Sequence, residues 1–507
     1  MRATTGGAQG AGAEAGEVRA GGAMGRASRP SGPAFHSQIG YAGPVKISSH
    51  AVARMLGPWQ QGPGPAHQRL SDKLRLLILD GRLSLGAALP SERDLATVLG
   101  TSRTTVGTAF RTLVEGGYLA TRARTRATVR LPGDTAADAP AGTDTETIDL
   151  SFAAPSAPVE VLHAAFATAL EQLPRHFERH GYDRYGIVEL REAVARWYRR
   201  RGLPTGPDQI LITSGAQHAL ALLTRVLLSP RDQVLIDHPT YPHAITTFTQ
   251  ARARLLPVAV TCSGWDAEQL RAVGRSADLA YLIPDFHNPT GMCMSTSVRE
   301  RLGLACPTIV DETMADLALD APAPEPFALH MPAAVSIGSV SKSVWGGLRI
   351  GWIRARPPLL ERVERSRPTT DLGTPVVEQL ATAALLNEDL TGRPETLHRL
   401  RGRRDALRQA LAEHLPDVHA PRPPGGITLW ATFPGPISSR LAAVAPDHGV
   451  TIAAGPRFGI GGAFERNIRL PYTLPPDQLA RAVRRLARAE QALARGATGT
   501  HVPAPIA

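Results

Sequence analysis

An α/β protein with a mainly parallel sheet, preceded by a small basic helical module, is the fold class that the sequence predicts. Three observations predict it. Short β-branched runs alternate with amphipathic stretches from about residue 148 onward. Residues 67–130 hold eleven basic against five acidic side chains. Between the two lies "LPGDTAADAPAGTDTETIDL", whose Ala/Pro/Gly/Asp/Thr composition marks a flexible linker. The 507 residues suffice for two or three domains, each with its own core. A hydrophobic content of 43% and a charged content of 20% fit an ordinary soluble protein. Cys262, Cys293 and Cys306 form neither an even framework nor a C-x-x-C pair, which points to a reducing cytoplasmic setting without a structural metal. The chain has no apolar run of 18 or more residues, so no membrane span is expected.

In chain order, residues 1–66 are rich in Gly, Ala, Pro and Ser and read as a disordered segment. Residues 67–131 follow as the basic module, which carries more than half of the net +11. A solvated charged face explains charge alone equally well. The pattern breaks the tie. In "RLSDKLRLLILDG", Leu70, Leu74, Leu77 and Ile78 share a helical face. "LPSERDLATVLG" offers Ser91 as N-cap with Asp94 three residues on, and Gly100 as terminator. Ser102 caps a third helix whose Val106, Ala109, Phe110, Leu113 and Val114 form an apolar stripe, stopped by Gly116-Gly117. "YLATRARTRATVRL" reads as two short strands around an arginine-rich tip. The whole is a winged helix-turn-helix, which presents the N-terminal end of its third helix to base edges.

The stretch "LPSERDLATVLGTSRTTVGTAFRTLVEGGYL" resembles the DNA-binding domain of the GntR family. The resemblance implies contacts to double-stranded operator DNA from Arg93, Ser102, Arg103, Thr104 and Thr105, with Arg124 and Arg126 of the wing near the minor groove. The tip "RARTRAT" lacks the glycines usual in that family.

After the linker (132–147), residues 148–490 alternate as an α/β domain does. "QILI", "QVLI", "LAYLI", "PTIV", "AVSI" and "LRIGWI" are separated by amphipathic segments, which argues for a buried, mainly parallel sheet. Residues 491–507 read as a disordered tail. Ligands in such sheets sit beyond the carboxyl ends of the strands. There the sequence places Gly215, Ala216 and Gln217 opening a helix, as a phosphate site requires. It also places Tyr241, able to stack on a planar ring, Asn288 in "HNPTG", and Asp311, a strand-end carboxylate that needs a cation or proton donor. A lone tyrosine or a small-residue helix start is, by itself, more often plain packing.

Lysine usage sharpens the reading. Among 56 basic residues only Lys46, Lys73 and Lys342 are lysines, and Lys342 stands in "SVSKSVWGGLR" between Ser339 and Arg349. Arginine serves solubility and ion pairing as well as lysine does, but only the primary amine can form a Schiff base.

"HNPTG" and "SVSKSVWGGLRIGW" resemble fold-type I aminotransferases of class I/II, which use pyridoxal 5'-phosphate. The resemblance implies Lys342 as the Schiff-base lysine and Asp311 as partner of the pyridine nitrogen. It implies Asn288 on the phenolic oxygen and Tyr241 stacked on the ring. Gly215, Ala216, Gln217, Ser339 and Arg349 would hold the phosphate, and Tyr182, with Tyr185 as the second choice, would reach a neighbouring subunit's phosphate. Arg469 in "ERNIRLPYT" would clamp an effector carboxylate, with Arg466 as the second choice. "DETMADL" places Thr313 and Met314 where relatives commonly carry a tyrosine on the phenolic oxygen. A winged helix, a linker and an aminotransferase-like domain together resemble the MocR subfamily of GntR regulators. That implies a cytoplasmic, head-to-tail homodimeric transcription factor that senses an amine or amino acid through exchange at Lys342. The rival expectation is a working aminotransferase with an appended DNA-binding domain.

Overall fold

The computed structural model describes residues 46–61, 64–79, 82–83, 87–121, 126–130, 147–389 and 391–496, and from Pro44 onward the chain forms one compact unit. Most of the 1–66 segment, the linker and Arg124 lie outside the described residues.

The N-terminal module opens on α1 (Ser49–Leu56), followed by α2 (Ala66–Leu79), α3 (Glu92–Leu99) and α4 (Arg103–Glu115). Strands β1 (Leu119–Ala120) and β2 (Thr128–Val129) pair antiparallel as the wing. The capping signals act as their residue types require. Ser91 Oγ accepts from Asp94 N at 3.1 Å, Ser102 Oγ accepts from Thr105 N at 3.0 Å, and Gly100 ends α3 in the left-handed region at φ 61°. Helix α1 corrects the expectation of disorder up to residue 66. Val52 and Leu56 share one face of the helix, Trp59 follows just past its end, and all three are buried in one cluster with Leu70, Leu74 and Phe110. Burial of three such side chains contributes on the order of 1.5–3 kcal/mol each, enough to order a helix whose flanks are polar.

The large domain is built on a seven-stranded sheet and a smaller four-stranded one. In chain order the strands are β3 (Ile148–Leu150), β4 (Ile210–Thr213), β5 (Gln233–His238), β6 (Arg254–Ala259), β7 (Leu279–Leu282), β8 (Thr308–Asp311), β9 (Val335–Ser339), β10 (Gly351–Arg354), β11 (Thr428–Thr432), β12 (Val450–Ala454) and β13 (Asn467–Pro471). The large sheet runs β4-β10-β9-β8-β7-β5-β6. Its pairs are parallel from β9 through β6, and β10 is antiparallel to both β9 and β4. Strands buried on both faces, such as β4 and β7, are mainly apolar runs for that reason. The small sheet runs β11-β13-β12-β3, and β3 lies parallel to β12, three hundred residues away in sequence. Helices α5 (Val159–Gln172), α6 (Val188–Arg200), α7 (Ala216–Leu227) and α8 (Pro242–Gln250) are the first four of the domain. The last helix, Pro476–Ala494, extends into the segment 491–507 expected to be disordered, because Leu486, Ala489 and Leu493 continue its buried stripe.

The two domains touch through buried polar contacts. Lys73 Nζ on α2 lies 3.3 Å from Glu465 Oε1, and Glu465 also accepts from Ser439 N at 3.0 Å. The Arg82 guanidinium donates to the Gly459 carbonyl. At Gly462 (φ 70°) a Cβ would lie 2.3 Å from the Leu56 carbonyl, so the loop can approach α1 only with glycine there.

Candidate functional site

The chain brings its chemistry to one edge of the large sheet. Strands β4, β5, β7, β8 and β9 all end there, and antiparallel β10 begins there. Past β4, Gly215 turns into α7 with φ 98° and no side-chain cap, leaving first-turn N–H groups for a ligand. Past β5, Tyr241 precedes α8. Past β7, a turn ending at Gly291 (φ 73°) carries Asn288. Asp311 ends β8, Lys342 follows β9, and Arg349 precedes β10 in the left-handed conformation at φ 51°. A non-glycine residue held there marks a site over-determined by its surroundings. Its guanidinium donates to Ser214 O at 3.0 Å and Gly346 O at 3.1 Å. These residues enclose a cavity of about 400 Å³ lined by Ala216, Gln217, Tyr241, Asn288, Asp311, Lys342 and Arg349 among others.

The electrostatics follow from burial. Desolvation raises the Asp311 pKa, opposed by donors from Thr313 and from Tyr281, whose hydroxyl lies 2.8 Å from Oδ2. Burial first, and then the Arg469 guanidinium, lower the Lys342 pKa to about 8, against the opposing pull of Asp311. A substantial neutral fraction near physiological pH is what a carbonyl-attacking amine needs. Lys342 Nζ donates to Ala153 O at 2.8 Å. Burial and then Arg457 lower the pKa of Arg469, which is wholly buried, donates to the Ser151 carbonyl and lies 5.1 Å from the Phe458 ring centre. The strap from Ser151 to Ala153 therefore lays backbone carbonyls on both cations.

The parts fit a phosphorylated pyridine aldehyde. A carboxylate, an aromatic ring, an amine and an uncapped helix start with a guanidinium line one space. Buried Asn288 Oδ1 has no hydrogen-bond partner among the described residues. A Cβ at Gly215 would stand 2.7 Å from Arg349 Nη2, so only glycine lets the helix start and the guanidinium converge.

Other expected residues lie elsewhere. Ser339 ends β9 beneath the cavity, its Oγ bonded to Ile350 O at 2.7 Å and Ser341 Oγ at 2.9 Å. Arg469 stands behind the wall. Arg466 is exposed and donates to Phe433 O. Tyr182 is 61% exposed, beside His180, and does not line this chain's cavity. Sequence reasoning passed over His243, Ile283 and the Ser151–Ala153 strap. His243 carried a signal, standing two residues past Tyr241 in "TYPH".

On the N-terminal module, Arg93, Arg103 and Thr104 share a concave face with Arg126 and Arg111, the last not foreseen. Arg103 Nε lies 3.4 Å from Glu92 in an exposed pair. Ser102 and Thr105 hydroxyls bond each other at 2.8 Å, so both serve the cap of α4.

The aminotransferase class I and II family matches residues 149–486, and the gntR family of bacterial regulatory proteins matches residues 66–129. A 2-aminoadipate transaminase of Thermus thermophilus is 33% identical over 326 residues, covering 61% of this chain and 80% of that protein. YisV of Bacillus subtilis, an uncharacterized regulator of helix-turn-helix type, is 28% identical over 419 residues, covering 75% and 87%. Among solved structures, the alpha-aminoadipate aminotransferase of Thermus thermophilus complexed with N-(5'-phosphopyridoxyl)-L-leucine superposes with a TM-score of 0.63. It is 29% identical, covering 69% of this chain and 94% of that one.

Proposed function

Because the chain belongs to the aminotransferase class I and II family and carries a gntR-type DNA-binding domain ahead of it, we propose that it is a cytoplasmic transcriptional regulator whose DNA affinity answers to an amine or amino acid. The family implies pyridoxal 5'-phosphate as cofactor. When bound, it supplies an aldehyde that condenses with primary amines and a ring that withdraws electrons. Lys342 provides the resident amine, and its lowered pKa keeps it reactive and displaceable. Asp311 would hold the ring nitrogen as a cation, Tyr241 would cover the ring face and Asn288 would reach the phenolic oxygen. The amides of Ala216 and Gln217, with Gly215 and Arg349, would take the phosphate, and Ser339 would join them only by turning its hydroxyl away from the Ile350 carbonyl. Arg469 offers its bidentate fork to an effector carboxylate in exchange for the Ser151 carbonyl. Arg93, Ser102, Arg103, Thr104, Thr105 and Arg126 are the contacts to operator DNA in this reading, to which Arg124, outside the described residues, would add one more. Tyr182 reaches the second subunit of a head-to-tail homodimer.

One observation carries this reading. The DNA-binding module and the cavity's surroundings meet through the same short loop. Gly459 and Glu465 receive Arg82 and Lys73, while Phe458 packs under Arg469 and its carbonyl accepts from Thr240 N, next to Tyr241. A ligand shifts an equilibrium only by its differential affinity for two states. Exchanging a backbone carbonyl for a carboxylate on Arg469 supplies such a difference at one end of that loop.

The second reading, an active aminotransferase, draws on the same lysine, aspartate and arginine set and on the 2-aminoadipate transaminase likeness. The test measures keto-acid release and DNA binding on one preparation, using DNA selected in vitro by the protein. Effector-dependent affinity with at most a single half-turnover supports the regulator. Sustained turnover with indifferent DNA affinity overturns it.

A further inference from the structure

Tyr281 stands in the middle of β7, directly beside Ile309 of β8, two residues before Asp311. Its side chain is wholly buried, edge-on to Phe248 with ring centres 5.7 Å apart. At such a place phenylalanine would fill the space with no polar atom to satisfy, whereas a buried hydroxyl costs free energy unless it is bonded. That bond, at 2.8 Å, goes to Asp311 Oδ2, while Oδ1 accepts from Thr313 N at 3.1 Å. Two donors from different directions fix the plane of a carboxylate that faces the cavity.

We propose that Tyr281 is a positioning residue for the cofactor, aiming the Asp311 carboxylate and setting how strongly it holds the ring nitrogen as a cation. The inference rests on the cofactor reading above and goes beyond it. The phenol sits on β7, one strand over from Asp311. The other titratable groups acting on Tyr281 are Asp237 from β5 and Tyr241 from the start of α8, and Lys342 acts on Asp311 across the cavity.

The experiment reads the pH midpoint of the visible absorption change in the full chain reconstituted with pyridoxal 5'-phosphate. Tyr281→Phe deletes one oxygen and keeps the volume. A carboxylate that loses a donor grips its proton more tightly and leaves the ring less cationic. The midpoint therefore moves up by about half a unit to one unit. Asp311→Asn moves it further the same way, and adding Tyr281→Phe to Asp311→Asn moves it no more. Replacing Tyr281 by 3-fluorotyrosine, a stronger donor of nearly the same shape, moves it down. A core tyrosine without this role gives no reversal of sign. If Tyr281→Phe does not accumulate folded, the fluorinated protein decides alone. An unmoved midpoint with the band intact, or shifts of one sign in both variants, overturns the role of Tyr281. Absence of the band from the wild type overturns the cofactor reading and the proposal with it.

Discussion

Helices α4 and α7 begin in opposite ways. Ser102 caps α4, its hydroxyl taking the Thr105 amide, whereas Gly215 opens α7 at φ 98° with no side chain at all. A capped start has spent part of its N–H potential on itself, so what it presents outward are side chains, here Arg103 and Thr104 on an exposed face. An uncapped start presents the N–H groups themselves, and glycine lets Arg349 come within reach of them. One helix end is suited to reading a surface and the other to gripping an anion. The same element, with one residue changed at its threshold, serves both halves of a regulator.

Breaking the joint between the halves has the largest expected effect. Lys73→Met leaves Glu465 buried without its cation and costs about 3 kcal/mol in denaturant unfolding. It also makes the DNA affinity of the surviving protein less responsive to effector, as a paired DNA titration will show. Gly215→Ala forces a Cβ toward Arg349 at a positive φ and costs about 1–2 kcal/mol locally. Cofactor affinity, followed by absorbance titration, falls at least about tenfold, while DNA affinity without effector stays put. The amine of Lys342 gives a comparable factor in pH. Its pKa is lowered, so the reactive neutral form grows as pH rises through about 8. Cofactor uptake by the apo-protein therefore speeds up about tenfold between pH 7 and 9 and then levels, where an ordinary lysine would keep gaining toward its usual range. Ser102→Ala has the smallest effect. Loss of the cap costs about 1 kcal/mol and weakens DNA binding several-fold, with the visible band unchanged.

Much of this was legible along the chain because it is local. The caps at Ser91 and Ser102, the turn of Gly100 and the apolar runs of β4, β5, β7, β8 and β9 all declare themselves within a dozen residues. Lys342 stood out by composition. The missing parts are non-local. Strand β3 is only three residues long and gains its identity by pairing with β12, three hundred residues on. Lys73 and Glu465 meet across nearly four hundred residues. Tyr281 looks like one more apolar position in a buried strand, and only its neighbour strand shows where its hydroxyl goes. Helix α1 was hidden by the glycine- and proline-rich composition around it, which masked Val52 and Leu56 on one face and Trp59 just beyond.

The central claim is that displacement of Lys342 is the signal read at the DNA. Its most direct test measures DNA affinity of the cofactor-loaded protein against increasing concentrations of amino acids that shift its visible band. In the wild type, affinity changes at the concentration that shifts the band. In Lys342→Ala, which has no resident amine to displace, the DNA affinity before any amine is added already lies near the amine-saturated wild-type value, and amino acids move it much less. A wild-type DNA affinity unmoved by an amino acid that fully shifts the band contradicts the account.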